Sequence, residues 1–231
     1  MTIRPKAEYA YLDHDGVLAF AHRGGDRVAP ENTLAAFQDA VDQGYRYLET
    51  DVHASADGVV YAFHDDDLQR MVGEPVAIST LNAKQIDALR LEGGHAIPRM
   101  ADLFEAFPER ICVGSFSDAR IQAVRKQLGD VCHSHGPLAA ARFRLAALTQ
   151  IPVPFTQGAA QLPVRQAGMP MVTKASVAYA HKCGLQVHVW TINCESTMHK
   201  LLDMGVDGLM TDDCALLKRV LVARNLWASG H

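Results

Sequence analysis

The chain has 231 residues, 48% hydrophobic and 21% charged, with 22 Lys and Arg against 26 Asp and Glu for a net charge of −4. That length suits one large domain, and the composition excludes a disordered or fibrous chain. The charge balance gives no electrostatic footprint for nucleic acid or an anionic membrane surface. Any anionic substrate must therefore be held by a local site. The apolar stretch nearest the start, Val17–Ala21, is far below the roughly 20 residues of a membrane span, so no membrane insertion is expected. No charged-then-apolar leader precedes it, and the five cysteines form no C-x-x-C pair. Both features point to a cytoplasmic protein with reduced thiols.

Taken in chain order, the first predicted strand is Val17–His22, running into Arg23-Gly24-Gly25. Leu34, Phe37 and Val41 then fall at helical spacing and are closed by Gly44, before a strand over Tyr45–Val52. A third strand, Val59–Phe63, runs into His64-Asp65, and Gly73–Thr80 and Gly93–Arg99 read as loops around the following turns. A helix over Met100–Phe107 leads to a strand at Ile111–Phe116. A helix marked by Ile121, Val124 and Leu128 closes at Gly129 ahead of the strand Val131–His133. The helix Leu138–Leu148 is broken by Pro152-Val153-Pro154, and Ala159–Val164, interrupted by Pro163, is the weakest strand pattern. Strands at Leu185–Trp190 and Val206–Met210 each follow a helix and a glycine, Gly184 and Gly205. Glycine supplies the left-handed residue that ends a helix, and repetition of helix, glycine and strand argues for a parallel sheet. No G-x-G-x-x-G follows the first strand, and polar residues end several strands rather than one. That favours an α/β, TIM-like (β/α) barrel of seven or eight strands over an open doubly wound sheet, with residues 1–231 as one domain.

The strand ends carry the chemistry. Glu49 and Asp51 lie two apart on one predicted strand, and alternation puts both carboxylates on one face. Two hard carboxylates suit Mg²⁺ or Ca²⁺ better than zinc. His22 and His64, at the ends of neighbouring strands, can act as general acid and base near neutral pH, and Arg23 can grip a phosphate. The set describes metal-assisted attack on a phosphate ester. Each residue also has a simpler reading alone: a structural histidine, a solvated acidic pair, a polar loop at Asp65-Asp66-Asp67.

His22-Arg23-Gly24, Pro30 to Phe37, Glu49-Thr50-Asp51-Val52, Asp57-Gly58 and His64 to Leu68 together resemble the glycerophosphodiester phosphodiesterases. Ile97 to Leu103, Val189 to Asn193 and Gly205 to Asp212 extend the resemblance over nearly the whole chain. It implies a TIM-barrel hydrolase cleaving glycerophosphodiesters, its small-molecule substrate, to glycerol 3-phosphate and an alcohol. His22 and His64 would be the acid–base pair, Glu49 and Asp51 the divalent-metal ligands, and Arg23 a phosphate contact. Glu31 and Asn32 would shape the substrate loop; capping of the next helix by Asn32 or Thr33 is an equally simple reading. Trp190 would line the pocket, although packing is the default for a strand tryptophan.

One departure bears on activity. The family's fourth strand, with an acid as third metal ligand and a lysine beside the phosphate, has no counterpart. Pro108-Glu109-Arg110 runs straight into Ile111, as if one βα unit were missing. Asp118 is the nearest substitute acid, Asp212 and Glu92 weaker ones, and Lys174 the spare cation. The shortened barrel is expected to be impaired, or to be an inactive relative that binds phosphodiesters or a partner protein. Its open sheet edge would invite a homodimer.

Overall fold

The structure is a computed structural model that describes residues 12–107, 112–113, 122, 132–133, 137–151, 153, 155 and 158–227. Ala19–Glu109 with Thr211–Leu217 make one compact unit, and the described residues of 12–18, 110–210 and 218–227 make another.

In the first unit, β1 (Leu18–His22) is apolar along its length, with Leu18 to Ala21 all buried. This is the pattern of a parallel strand covered on both faces. The helix α1 (Leu34–Asp42) follows, buries Ala36, Phe37 and Ala40, and returns the chain to β2 (Tyr47–Glu49). Thr33 is its N-cap, accepting from the Ala36 N–H, so Asn32 is free for another task. The βαβ unit pairs β1 and β2 in parallel, with Phe20 opposite Tyr47 and His22 opposite Glu49.

Two expected strands change here. The run Tyr45–Val52 breaks at Thr50-Asp51 into β2 and β3 (Val52–Ala54). Val59–Phe63 becomes β4 (Val60–Ala62), which pairs antiparallel with β3 rather than as a parallel barrel strand. At the break Thr50 Oγ1 donates to Asn32 Oδ1 and the Asp51 carboxylate meets Arg23, while the Asp51 carbonyl accepts from the Phe63 N–H at 3.0 Å. Asp57-Gly58, with Gly58 at φ +86°, then closes a hairpin held by Ser55 Oγ donating to Asp57 Oδ1 at 2.6 Å.

Beyond β4 the chain is pinned by a core of Tyr61, Phe63, Leu68, Ile78, Ala83, Ile86, Leu91 and Ile97. The single helical turn α2 (Gln69–Val72) and helix α3 (Ala83–Ala88) ride on that core. Helix α4 (Met100–Ala106) packs Leu103 against Phe37 and Ala62.

In the second unit, β5 (Cys112–Val113) pairs in parallel with β6 (Cys132–His133), and α5 spans Pro137–Thr149. The remaining residues of the strands Ile111–Phe116 and Val131–His133, most of the helix around Val124, and the junction at Arg110 lie outside the described residues. The weak strand pattern is a full strand, β7 (Ala159–Pro163). Its proline sits at the last position, where a missing N–H costs the ladder least. A short hairpin, β8 (Arg165–Gln166) and β9 (Met169–Pro170), precedes α6 (Lys174–Lys182). Strand β10 (Gln186–Trp190) pairs in parallel with β7, Trp190 opposite Pro163, and with β11 (Gly208–Thr211). Between them lies α7 (Glu195–Met204), ended by Gly205 at φ +88°, and α8 (Cys214–Ala223) closes the chain. Buried Asp207, part of a motif in the family resemblance, is structural: its Oδ2 accepts from the Val187 N–H at 2.8 Å and lies 2.8 Å from His181 Nε2.

Gly24, at φ +82°, lets the turn after β1 pack under α1. A Cβ there would lie 2.8 Å from the Ala36 carbonyl carbon and 2.8 Å from the Phe37 nitrogen. Gly24→Ala should therefore cost about 2–3 kcal/mol, from left-handed strain plus a backbone clash that cannot relax by rotamer change. Urea unfolding monitored by circular dichroism checks this; an unchanged midpoint would mean the turn is not packed as described.

Candidate active site

Every residue of this site belongs to the first unit. The β1–β2 register sets His22 beside Glu49, with His22 Nε2 3.8 Å from Glu49 Oε2. The other ring nitrogen, Nδ1, lies 2.5 Å from Asp212 Oδ1, just past the end of β11. Burial disfavours charge on His22, but the Asp212 hydrogen bond and the charges of Glu49 and Asp212 outweigh it and hold the pKa above the ordinary 6.5. Glu49 is pushed up instead, first by burial and then by the charge of Asp51, against the opposing pull of His22 and Arg23.

After His22 the backbone turns through Arg23, at φ +53°. A non-glycine residue in that region is strained, and its neighbours must hold it there. The Arg23 N–H donates to the Glu49 carbonyl at 2.9 Å, and the Arg23 carbonyl accepts from the Asn32 N–H at 2.7 Å. The guanidinium then lies between two acids, Nη1 donating to Glu31 Oε1 at 3.0 Å and Nε 2.9 Å from Asp51 Oδ2. The second contact is charge against charge, since neither atom makes a directed hydrogen bond. Glu31 also meets Arg70 Nη2 at 2.6 Å. Burial alone would raise the Glu31 pKa, yet Arg70 and Arg23 together hold it below the usual carboxylate range.

Asn32 is buried, at φ +59°, with its Oδ1 accepting from Thr50 Oγ1 at 2.8 Å. Its Nδ2 is buried without a hydrogen bond among the described residues. A buried donor left unpaired costs about 1–3 kcal/mol, which suits a group kept for an incoming acceptor. His64 is more exposed than His22, 42% against 13% for the side chains, and its Nδ1 lies 2.6 Å from Asp65 Oδ1. Asp65 in turn meets Arg70 Nε at 2.6 Å, which leads the causes that hold its pKa low.

The structure thus joins Arg23, Glu31, Asp51 and His64 through ion pairs by way of Arg70 and Asp65, with His22 and Glu49 attached through the Arg23 N–H, 3.4 Å from Glu49 Oε2, and Asn32 through Thr50. Trp190 belongs to the other unit, half-buried at the end of β10. Two partners were not given these roles from sequence. Sequence alone offers Asp212 only as a weaker substitute metal ligand, since nothing local brings it to His22. Arg70 follows Asp65 by five residues, a spacing with meaning only once α2 is folded.

Glu49 and Asp51 bring two hard carboxylates of the kind that take Mg²⁺ or Ca²⁺; the Asp51 charge adds to burial in raising the Glu49 pKa, and Asp51 Oδ2 itself lies 2.9 Å from Arg23 Nε. Among the described residues no third His, Cys, Asp or Glu completes a metal-holding group.

Asp212→Asn should lower the His22 pKa, read by histidine NMR titration. Because that pKa is raised on folding, the stability it contributes is full below the ordinary value and is lost as pH rises through the raised one. Asp212→Asn should flatten that decline in urea-melt stability. An unmoved His22 titration would show that Asp212 does not set it.

Comparison with known proteins places the chain. The sequence profile of the Glycerophosphoryl diester phosphodiesterase family matches residues 22–121 and 153–216. The protein named "Probable glycerophosphodiester phosphodiesterase 2" of Mycobacterium tuberculosis is 36% identical over 255 residues, covering 94% of this chain and 95% of its own. "Lysophospholipase D GDPD1" of Mus musculus is 26% identical, covering 87% of this chain and 85% of its own. Among solved structures, a glycerophosphodiester phosphodiesterase from Agrobacterium tumefaciens aligns with a TM-score of 0.70 at 22% identity, covering 89% of this chain and 99% of that one. An Oleispira antarctica phosphodiesterase, solved with the product sn-glycerol-3-phosphate, aligns at 0.73 and 19% identity, covering 90% of this chain and 97% of that one. The fold is the α/β, TIM-like one of these proteins, and the chain belongs to the glycerophosphoryl diester phosphodiesterase family of enzymes.

Proposed function

We propose that this chain hydrolyses glycerophosphodiesters to glycerol 3-phosphate and an alcohol, with His22 and His64 as the acid–base pair. The observation that carries the reading is the connected network that ties both histidines, Arg23 and the Glu49/Asp51 pair into one site. One histidine takes the proton of the oxygen attacking phosphorus, and the other gives a proton to the alcohol oxygen as its bond to phosphorus breaks. Each ring has a carboxylate at Nδ1, Asp212 for His22 and Asp65 for His64. That arrangement fixes the tautomer and leaves Nε2 to act. Arg23 steadies the phosphate with guanidinium donors beyond Nη1 and Nε, which face Glu31 and Asp51. The unpaired Asn32 Nδ2 offers a further donor to substrate oxygen.

Glu49 and Asp51 would hold Mg²⁺ or Ca²⁺, which when bound polarises the phosphoryl oxygen. The residues 1–231 are read as one domain, because the division between the two units falls inside β1 and inside β11. Among the described residues no helix is long and apolar enough to cross a membrane; a cytoplasmic location is part of the proposal on the sequence grounds given above.

A second observation favours reduced activity. The Mycobacterium tuberculosis match runs over 255 residues, more than the 231 of this chain, so the relative carries residues that this chain lacks. Asp118, the nearest substitute acid, lies outside the described residues; with two acids in place of three among the described ones, a bound cation would be held more weakly and turnover slowed, and an open sheet edge would be where a second copy adds.

The test is release of glycerol 3-phosphate from glycerophosphocholine under Mg²⁺ and Ca²⁺ titration. His22→Ala and His64→Ala should each lower kcat by about 10²- to 10⁴-fold, and Glu49→Gln should raise the metal concentration needed. Binding of the diester without turnover, unaltered by either histidine change, would replace the enzyme reading with that of a binding protein. Full turnover at ordinary metal demand would remove the impairment alone.

A further inference from the structure

Arg70 has no part in the roles assigned above. It stands on α2, a single turn fixed at both ends. Leu68, just before it, is fully buried in the core; Asp67 Oδ1 accepts from the Gln69 N–H at 3.0 Å; and Gly73 ends the turn at φ +87°. The base of the side chain is therefore held while its guanidinium reaches out as a fork. Nε lies 2.6 Å from Asp65 Oδ2, and Nη2 lies 2.6 Å from Glu31 Oε1. Each acid also holds a residue of the proposed machinery: Asp65 through its other oxygen, Oδ1, 2.6 Å from His64 Nδ1, and Glu31 through the same Oε1, which accepts from Arg23 Nη1 at 3.0 Å.

We propose that Arg70 is a positioning residue that sets His64 and Arg23 relative to each other by clamping the two carboxylates that orient them. The inference rests on the roles given to His64 and Arg23 above. With Asp65 Oδ2 engaged by Nε, the carboxylate plane is fixed and Oδ1 is presented to the imidazole at a single angle. Glu31, shared by Arg70 and Arg23, ties the loop before α1 to the same turn. Stability is not the purpose of the clamp. The Arg70 side chain is 48% exposed, and ion pairs at that exposure add little to folding. Lysine could not replace it, since one ammonium lacks the planar fork that meets two acids at once.

The test uses Arg70→Met and Arg70→Lys in the full chain, with glycerophosphocholine and a divalent cation. Arg70→Met should lower kcat by about 10- to 100-fold, the usual cost of an outer orienting partner, and raise KM, with little change in melting temperature. Arg70→Lys should restore only part of either. In an Asp65→Asn background the kcat loss should vanish, and in a Glu31→Gln background the KM rise should vanish, because the path through each acid is already cut. Losses that simply add to those of Asp65→Asn and Glu31→Gln would overturn the proposal, as would unchanged kinetics. An independent reading comes from the imidazole nitrogen NMR shifts. Arg70→Met should move those of His64 and leave those of His22, and unmoved His64 signals overturn the proposal whether or not the chain turns over. A wild-type chain without turnover but with the His64 shift would overturn the functional reading alone.

Discussion

The guanidinium of Arg23, set between Glu31 and Asp51, is the contact on which the rest of the site depends. Glu31, Glu49, Asp51, Asp65 and Asp212 all enter one connected network, and so many acids cannot share a half-buried region without cations between them. Arg23 and Arg70 supply two, and His22 a third when protonated. Their placement separates the acids into kinds. Glu31, touched by both arginines, is held below its usual pKa, while Glu49 is held above it, first by burial and then by the charge of Asp51, against the pull of His22 and Arg23. The first is a structural anchor.

That contact has a backbone cost, and the local fold carries it. Arg23 and Asn32 both adopt the left-handed region, and the hydrogen bond from the Asn32 N–H to the Arg23 carbonyl holds the two together. Gly24 allows α1 to come down on the turn, and Thr33 rather than Asn32 caps that helix. Asn32 is thereby released to face Thr50 and to keep one buried donor unpaired. The break in the strand after Glu49 belongs to the same arrangement. Thr50 and Asp51 make these contacts through their side chains at the break, and beyond it the chain folds back as the β3–β4 hairpin. What looks like an interrupted strand is the means by which an acid pair is turned toward an arginine.

The two histidines are built alike and exposed unlike. Each meets a carboxylate at Nδ1, but His22 is the more buried and its acid arrives from the far end of the chain, whereas His64 and Asp65 are neighbours in sequence. The two rings thus sit in different surroundings, one at a strand end and one on the turn after β4. The asymmetry also explains the clamp at Arg70. Asp212 follows a buried strand that fixes it, while Asp65 lies on a half-exposed turn and gains its fixed angle from a fork that also grips Glu31.

Local sequence determined a good deal here. The helix–glycine–strand repeats, a cap before α1 at Asn32 or Thr33, and the places of His22, Arg23, Glu49 and His64 at the ends of predicted strands could be read because each depends on residues near it in the chain. Periodicity and turn chemistry act over a few residues, so they survive in a single sequence. Other features could not be read that way. The apolar run Val59–Phe63 is the same whether its partner is parallel or antiparallel, and the weak pattern at Ala159–Val164 becomes a strand because β10 pairs with it. Asp212 reaches His22 across 190 positions of chain, and Arg70 reaches Glu31 across 39. Only the tertiary structure decides such meetings, because ion pairs and buried hydrogen bonds are set by distance in space, and the sequence records distance only along the backbone.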